Sequence, residues 1–333
     1  MVLVSRGFNK VAYCDFDVLF QHSLRSIKGP RKDTDLLIFL TAYLRSDLAR
    51  YFLFHTSANW GTERDQVHLV ELLRVPFPLP EDDFVSPDAE QIIRQIAKKI
   101  VGARKFLQNK LDNLKSDAQK YALSDWNEAD IRKEWHRERK RCVDALQKEI
   151  EPLICRYFGL TEQEIILIED TVRIFEPSST PANWRSEKTL TLDPLEKARV
   201  EPYTSQGLKA YADTLTKTLN TWAEMEDSEY RLCAEGGTDD KTGLAMLSLK
   251  LSRAELAYQQ KLLHQDLMKA LKVFHSYASK KEGSMVYERD ILFFRKNRIH
   301  IIRPNILLNW TRTSALNDAA RIYGDIMLAA KES

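Results

Sequence analysis

The sequence predicts a helix-rich α+β protein with more than one domain. Apolar residues recur at helical spacing over long stretches, for example from Leu36 to Leu48 and from Ile131 to Ile150. Shorter stretches resemble strands bounded by turn residues, as around Lys296-Asn297. The chain has 333 residues, of which 44% are hydrophobic, so two domains with sizeable cores are possible.

The first half of the chain divides into a small mixed module and a spacer. We expect the module over residues 1–80, because it combines strand-like segments at 1–5 and 11–20 with a helix that continues to about Phe54. Alternating prolines end it before residue 80, since proline suits neither a helix interior nor a central strand. The spacer covers 85–170 and is predicted to hold long helices over 87–122 and 126–156, then a short helix from Thr161 to Asp170.

A linker at 171–202 is predicted from its prolines, serines and threonines, and a C-terminal α+β module follows over 203–333. The order of elements predicted for this module is αββαββα. Its elements are expected at 204–221, 229–235, 243–251, 253–280, 285–295, 298–303 and 313–329.

Positive charge is concentrated in three stretches of a chain whose formal net charge is only +2. Residues 1–32, 132–141 and 285–312 each hold six basic residues against two acidic ones. Local basic stripes on a nearly neutral protein favour contact with a polyanion such as a nucleic acid. The alternative is that each stripe is ordinary solvated surface, and the polyanion interpretation requires the stripes to converge in space.

Composition also excludes several classes of protein. The longest apolar run, Leu36–Leu44, is too short to span a bilayer, and the N-terminus lacks the layout of a signal peptide. The four cysteines are far apart with no CxxC pair, which is typical of reduced cysteines in a cytosolic protein and not of a zinc site. We therefore expect a cytoplasmic protein with no membrane partner and no metal.

No catalytic motif is visible. The sequence contains no Walker loop, GxGxxG, GxSxG, HExxH or EF-hand pattern, and nuclease-like acidic motifs are present only as fragments near Glu187-Lys188 and Asp193–Lys197. An enzyme activity of this chain is therefore left open, with no catalytic residue assigned.

Residues 19–80 nonetheless resemble a known family. The matching pieces are Phe20-Gln21, Leu44-Arg45-Ser46, Tyr51–Phe54, Trp60-Gly61, Glu63-Arg64 and Leu73–Pro80, with later matches at Tyr157–Ile165, Ile301–Pro304 and Asn309–Asp318. Together they resemble the target-recognition region that follows the catalytic domain in bacterial N6-adenine DNA methyltransferases of restriction–modification and phage-defence systems.

The family's catalytic motifs are missing. There is no glycine-rich methyl-donor turn and no Asn/Asp-Pro-Pro-aromatic loop, and the chain contains no Pro-Pro dipeptide. The resemblance therefore implies a specificity-like subunit or a split C-terminal half, which binds duplex DNA and docks on a catalytic partner that holds S-adenosylmethionine. The alternative is a non-catalytic scaffold of a defence complex, with no DNA specificity.

The resemblance and the charge pattern select the expected DNA-binding residues. Asn59 and Arg64 suit the edges of adenine and guanine, and Trp60 can stack on a base. Arg312, near the predicted start of a helix, can hold a phosphate. Phosphate contacts that position the DNA are expected from Arg6, Lys10, Lys28, Arg31, Lys32, Arg137, Arg139, Lys140 and Arg141.

Each assignment has a structural alternative. Trp60 can instead anchor a loop or enter the core, and Asn59 and Arg64 can fix that loop through hydrogen bonds or ion pairs. The basic residues of 137–141 can simply face water, and the residues around Arg312 can cap their helix.

Overall fold

The computed structural model confirms a helix-rich α+β protein. It describes residues 1–8, 10–58, 66–120, 128–176, 205–254, 256–262, 264–282, 290–295 and 297–331. The chain forms two compact units, residues 1–168 and residues 169–333. We refer to them as the N-terminal unit and the C-terminal unit.

The N-terminal unit begins with a three-stranded antiparallel sheet in the order β2-β1-β3. The central strand β1 (Val2–Ser5) pairs with β2 (Val11–Tyr13) and with β3 (Leu24–Ile27). Sequence analysis predicted β1 but made the second strand too long, and it missed β3. This strand is only four residues long and half-buried, so its own pattern is weak.

A serine divides the helix that was predicted to run to Phe54. The structure has α1 (Thr34–Tyr43) and α2 (Asp47–Thr56), with a single 3₁₀ turn at Arg31–Asp33 before α1. The Ser46 hydroxyl donates to the Tyr43 carbonyl at 2.7 Å and accepts from the Ala49 N–H at 3.2 Å. It thus satisfies backbone groups that end one helix and begin the next.

Two long helices complete this unit after the short α3 (Leu69–Leu72). They are α4 (Ala89–Lys120) and α5 (Glu128–Tyr157), close to the predicted ranges. Helix α5 stops two residues before Gly159, which has a left-handed φ of 61°. The long helices share one core with residues 1–80, which includes Phe39, Tyr43, Ile92, Ile96, Ile154 and Tyr157.

The chain passes to the C-terminal unit through α6 (Glu162–Asp170) and a π-helical turn at Thr171–Phe175. The linker expected over 171–202 begins inside this helical turn, which corrects its start, and its residues 177–202 lie outside the described residues. The unit continues with α7 (Ser205–Met225), β4 (Arg231–Asp239), β5 (Leu244–Ser252), β6 (Gln259–Gln260), α8 (His264–Glu282), β7 (Ile291–Arg295), β8 (Arg298–Pro304) and α9 (Arg312–Lys331).

This order confirms the predicted αββαββα pattern, with two corrections. The helix predicted from residue 253 begins only at His264, because residues 259–260 pair with β4 as the edge strand β6. The predicted strand 229–235 stops before Gly236 and Gly237, but both glycines lie inside β4 and pair with β5. The five strands form one sheet in the order β6-β4-β5-β8-β7.

The two faces of this sheet are covered differently. On one face, α7 and α9 enclose a core that includes Tyr211, Leu215, Leu247, Ile301, Ala315 and Ile322. On the other, α8 contributes Leu267 and Ala270, which pack against Met246 of β5 and Ile302 of β8. The second core is smaller, so part of that face carries polar side chains.

A buried charged cluster joins α7, β8 and α9. Arg303 donates two hydrogen bonds to Asp318, each at 2.7 Å, and also donates to Asp290. The Tyr211 hydroxyl donates to Asp318 at 2.5 Å. Burial opposes the charge on Arg303, but the hydrogen bonds to Asp318 and Asp290 outweigh it and raise the pKa of the guanidinium.

Among the described residues, no helix combines the length and the apolar character needed to cross a bilayer.

Glu151 of α5 forms a hydrogen bond with the start of α2, and this contact allows the packing of the N-terminal unit to be tested. Glu151 accepts from the Asp47 N–H at 2.8 Å and from Gln147 at 2.6 Å. Burial, followed by the nearby Asp47, raises the pKa of Glu151 to about 7. The folded state therefore holds this proton more tightly than the unfolded state, and its stabilising effect is lost as the pH rises through about 7.

We expect Glu151→Gln to flatten the decline in the free energy of unfolding between about pH 5 and pH 7. Urea denaturation of the full chain at several pH values measures this slope. Glu149→Gln, on the exposed side of the same helix, should leave the slope unchanged. An identical slope in wild type and Glu151→Gln would contradict this account of Glu151.

Candidate nucleic-acid interface

Two of the predicted phosphate-binding residues flank the turn between β1 and β2. Arg6 and Lys10 are both exposed. The turn between them is fixed because the Ser5 N–H donates to the Lys10 carbonyl at 2.9 Å, while the Phe8 side chain is buried. Both basic side chains therefore project from a well-anchored end of the sheet.

Arg25, which sequence analysis did not select, lies beside Arg6. Its guanidinium donates to the Val67 carbonyl at 2.7 Å, and the Val67 N–H donates to the Arg6 carbonyl at 2.9 Å. Burial, and then the charge of Arg6, lower the pKa of Arg25, and the charge of the nearby Glu71 carboxylate partly opposes this shift. Arg6, Lys10 and Arg25 thus form a basic corner at one end of the sheet, where two arginines raise the local positive potential.

Asn59, Trp60 and Arg64, which were predicted to contact bases, fall within 59–65, outside the described residues. The residues on both sides of this segment are held by one carboxylate. Glu71 accepts from the Ala58 N–H at 2.9 Å and from the His68 N–H at 2.6 Å. Burial opposes ionisation of Glu71, but these donated hydrogen bonds outweigh it and lower its pKa.

The other basic residues of the first stripe lie at the opposite end of the sheet. Lys28 directly follows β3, and Arg31 and Lys32 form the turn before α1; all three are exposed. Arg31 also lines an open cavity of about 780 Å³ with Arg104 and Lys105 of α4.

Part of the charge in this cavity is already neutralised. Arg104 forms a two-pronged ion pair with Asp15, at 2.7 and 2.9 Å, which lowers the pKa of the Asp15 carboxyl. Asp17 also lines the cavity. Positive charge is therefore weaker here than at the basic corner.

The second stripe, on α5, is also partly neutralised within its own helix. Arg137 pairs with Glu134 at 2.6 Å and Arg141 pairs with Glu138 at 3.1 Å. Arg139 and Lys140 are exposed, and no acidic partner is found for them within the described ranges. Arg139 lies near Arg45 at the end of α1, since burial and then the charge of Arg139 lower the pKa of Arg45.

Arg312 stands at the first residue of α9, but the anion at this helix terminus is Asp170 of the same unit. The Asp170 carboxylate accepts from the Thr313 N–H at 2.7 Å and from the Thr313 hydroxyl at 2.9 Å. Arg312 donates to Asp170 at 3.2 Å and to Glu169 at 2.7 Å. The position considered for a phosphate is thus taken by the protein's own carboxylate.

The remaining basic residues of the third stripe separate into different surroundings. Arg303 is buried in the charged cluster described above, Arg298 pairs with Glu235, and Arg295 is exposed. Arg289 and Lys296 lie outside the described residues. Among its described residues, the third stripe therefore does not form one continuous basic surface.

Within the described ranges, no group of three or more histidine, cysteine, aspartate or glutamate side chains is placed to hold a metal ion. Comparison with known proteins finds no match to this chain among protein-family models, curated proteins or solved structures.

The Asp170 contact can be tested by the stability of the C-terminal unit. We expect Asp170→Asn to lower the free energy of unfolding by about 2 kcal/mol, because it removes the buried charge at the start of α9 and weakens the Arg312 ion pair. Urea denaturation measures the loss.

The matched control is Glu169→Gln, which also removes a carboxylate from Arg312, whereas the Thr313 N–H at the start of α9 donates to Asp170. Its cost should stay below about 1 kcal/mol, since this ion pair is partly exposed. Equal losses of unfolding free energy in the two variants would show that the contact between Asp170 and the α9 N-terminus does not stabilise the protein.

Proposed function

We propose that this chain is the DNA-recognition, specificity-like subunit, or a split C-terminal half, of an N6-adenine DNA methyltransferase in a restriction–modification or phage-defence system. It binds duplex DNA through the N-terminal unit and docks on a separate catalytic subunit that holds S-adenosylmethionine. The observation that carries this proposal is the basic corner of Arg6, Lys10 and Arg25 at one end of the three-stranded sheet.

The basic corner has the properties of a phosphate-contacting surface. Arg6 and Lys10 are exposed, and neither has an acidic partner in the part of the chain that the structure describes. Keeping like charges close together on an anchored turn opposes folding slightly and favours an anionic partner. A DNA backbone supplies such a partner, and its binding releases counterions.

The sheet separates the basic corner from a second set of cations, which begins at Lys28, by a length that suits contact with one DNA strand. Arg25 lies three residues before Lys28 along β3, which is roughly 10 Å at about 3.3 Å per strand residue, and Arg6, which is level with Ser23, lies roughly 17 Å from Lys28. These lengths correspond to about three to five nucleotides along one DNA strand, at about 3.4 Å each. Arg31 and Lys32 extend this second set, so both ends of the sheet can contact one backbone.

Sequence reading is assigned to residues 59–65, following the resemblance of residues 19–80 to methyltransferase target-recognition regions. Val67, just beyond this segment, is hydrogen-bonded to both Arg6 and Arg25. Phosphate contacts at the basic corner would position the DNA, and Asn59, Trp60 and Arg64 are the residues proposed to read its bases. This division of labour, with phosphates for position and base edges for sequence, is common in DNA-binding proteins.

A second candidate function is a scaffold that binds a protein partner and no DNA. It is favoured by three exposed apolar side chains around α3: Leu69, Val70 and Leu73 are 52%, 62% and 75% exposed. Exposed apolar groups at adjoining positions are typical of protein interfaces. Under the first proposal, the same side chains are where the catalytic partner docks.

The two functions differ in the salt dependence of DNA binding. We expect the full chain to bind random duplex DNA with an affinity that falls steeply as salt rises. Arg6→Gln/Lys10→Gln should weaken binding about tenfold at moderate salt and reduce the slope of log K against log salt by about 2, because two phosphate contacts are lost. Fluorescence anisotropy at several salt concentrations measures both quantities.

The matched control is Lys98→Gln/Lys110→Gln, which removes two exposed positive charges from α4 in the same unit. It should leave the slope nearly unchanged. If the wild-type chain binds no DNA at physiological salt, or if the control weakens binding as much as the test variant does, the DNA-recognition proposal is wrong.

Docking can be examined separately. We expect Leu69→Asn/Leu73→Asn to abolish co-purification with a catalytic subunit that carries the donor-binding and Asn/Asp-Pro-Pro-aromatic motifs, while leaving random-duplex binding intact. Both side chains are exposed, so the fold should tolerate the change. Unchanged co-purification would exclude this surface as the docking site.

A further inference from the structure

The second face of the five-stranded sheet carries a row of polar side chains. The strand register pairs Glu235 of β4 with Ser248 of β5, and Ser248 with His300 of β8. Directly paired residues of antiparallel strands point to the same face. The three side chains therefore lie side by side across three strands, on the face where α8 packs.

Helix α8 covers only part of this face. Its Leu267 and Ala270 pack on Met246 and Ile302, which lie one row away from the polar side chains. Beyond this contact an open cavity of about 940 Å³ remains, with Glu235, Ser248 and His300 in its lining. Such a volume is within the range of small-molecule sites.

Ser248 and His300 of the polar row are within hydrogen-bond distance of each other. Ser248 Oγ lies 2.8 Å from His300 Nδ1, and Ser248 is only 3% exposed. Burial, followed by the charges of Arg298 and Arg295, lowers the pKa of His300. The imidazole is therefore neutral at pH 7, and it serves as a hydrogen-bonding partner rather than as a further cation.

Positive charge exceeds negative charge around the cavity. Glu235 is engaged by Lys250 at 3.0 Å and by Arg298, and Asp266 lies 3.7 Å from Lys269. The other two lining cations, Arg295 and Lys261, are exposed and have no acidic partner among the residues that the structure describes. They leave the site with two positive charges that the protein does not neutralise.

The chain before α8 is held over the sheet edge so that Lys261 reaches this cavity. The Lys261 N–H donates to the Gly236 carbonyl at 2.9 Å, and the Tyr258 hydroxyl donates to the same carbonyl at 2.8 Å. A side chain at Gly237 would place its Cβ 3.0 Å from the Leu262 Cβ. Gly237 thus permits the close passage of Leu262, while the Gly236 carbonyl holds the backbone of Lys261.

We propose that this cavity binds a nucleoside 5′-phosphate, either as a free nucleotide or at the end of a nucleic-acid strand. Arg295 of β7 and Lys261 beside β6 lie at opposite edges of the sheet. Arg295 is therefore the contact proposed for the phosphate, and Lys261, which lies beside the apolar residues of the lining, adds to the positive potential of the site. Met246, Leu262 and Ala270 supply an apolar wall against which a base can pack. The site belongs to the C-terminal unit and is independent of the DNA-binding surface proposed for the N-terminal unit.

The test is calorimetric titration of the full chain with AMP, GMP, CMP and UMP at pH 7 and moderate salt. We expect saturable binding of at least one nucleotide, and about tenfold weaker binding after Arg295→Gln or after Lys261→Gln. The nucleoside without phosphate and inorganic phosphate alone should each bind at least tenfold more weakly than the nucleotide.

Arg253→Gln is the matched control, because Arg253 is exposed in the same unit and does not line the cavity. It should leave nucleotide binding unchanged, as should Arg6→Gln/Lys10→Gln in the other unit. Circular dichroism of each variant verifies folding, and Ser248→Ala provides an additional uncharged change, with weaker binding expected.

Short oligonucleotides distinguish the two sources of the ligand. The site is assigned to a strand end if a 5′-phosphorylated trinucleotide binds more tightly than the mononucleotide and the 5′-hydroxyl form of the trinucleotide does not. It is assigned to the free nucleotide if the mononucleotide binds more tightly. Absence of binding by all four nucleotides at millimolar concentration overturns the proposal, as does binding that Arg295→Gln and Lys261→Gln both leave unchanged.

Discussion

The central strand β1 determines where the basic groups of the N-terminal unit lie. Its residues Val2 and Val4 are almost fully buried, and the strand pairs on both sides, with β2 and with β3. A shift of one residue in either pairing would turn these valines away from the core cluster to which they belong, so the register is strongly fixed. The turn that holds Arg6 and the end of β3 that precedes Lys28 are therefore fixed at opposite ends of the same short sheet.

Many of the remaining basic residues are used to hold the protein together. Arg303 is buried and its desolvation is offset by two aspartates, while Arg312 pairs with Asp170 and Glu169. Arg137 and Arg141 are each paired within α5. A count of charges along the sequence cannot separate these residues from the exposed ones. The distinction depends on carboxylates elsewhere in the chain, so the basic corner stands out only once the pairing is known.

The sequence was sufficient for the features that depend on local pattern. Helices α4 and α5 and the αββαββα order of the C-terminal unit follow from periodicity and turn residues. It was insufficient where a distant partner decides the outcome. Strand β3 has a weak sequence pattern of its own and is stabilised by pairing with β1. Residues 259–260, which were predicted to be helical, pair with β4 as a strand. Asp170 caps α9 across more than a hundred residues of chain, and the polar row of Ser248 and His300 exists only through the strand register.

Hydrogen exchange of the full chain, with and without a duplex of about 20 base pairs, tests the central claim most directly. The account predicts that DNA slows exchange in the turn between β1 and β2 and in residues 66–68, whose amides lie at the basic corner. Amides of β4, β5 and β8 should be unaffected by the duplex. Protection confined to the C-terminal unit, or no protection anywhere at a saturating DNA concentration, would contradict the claim that the N-terminal unit binds DNA.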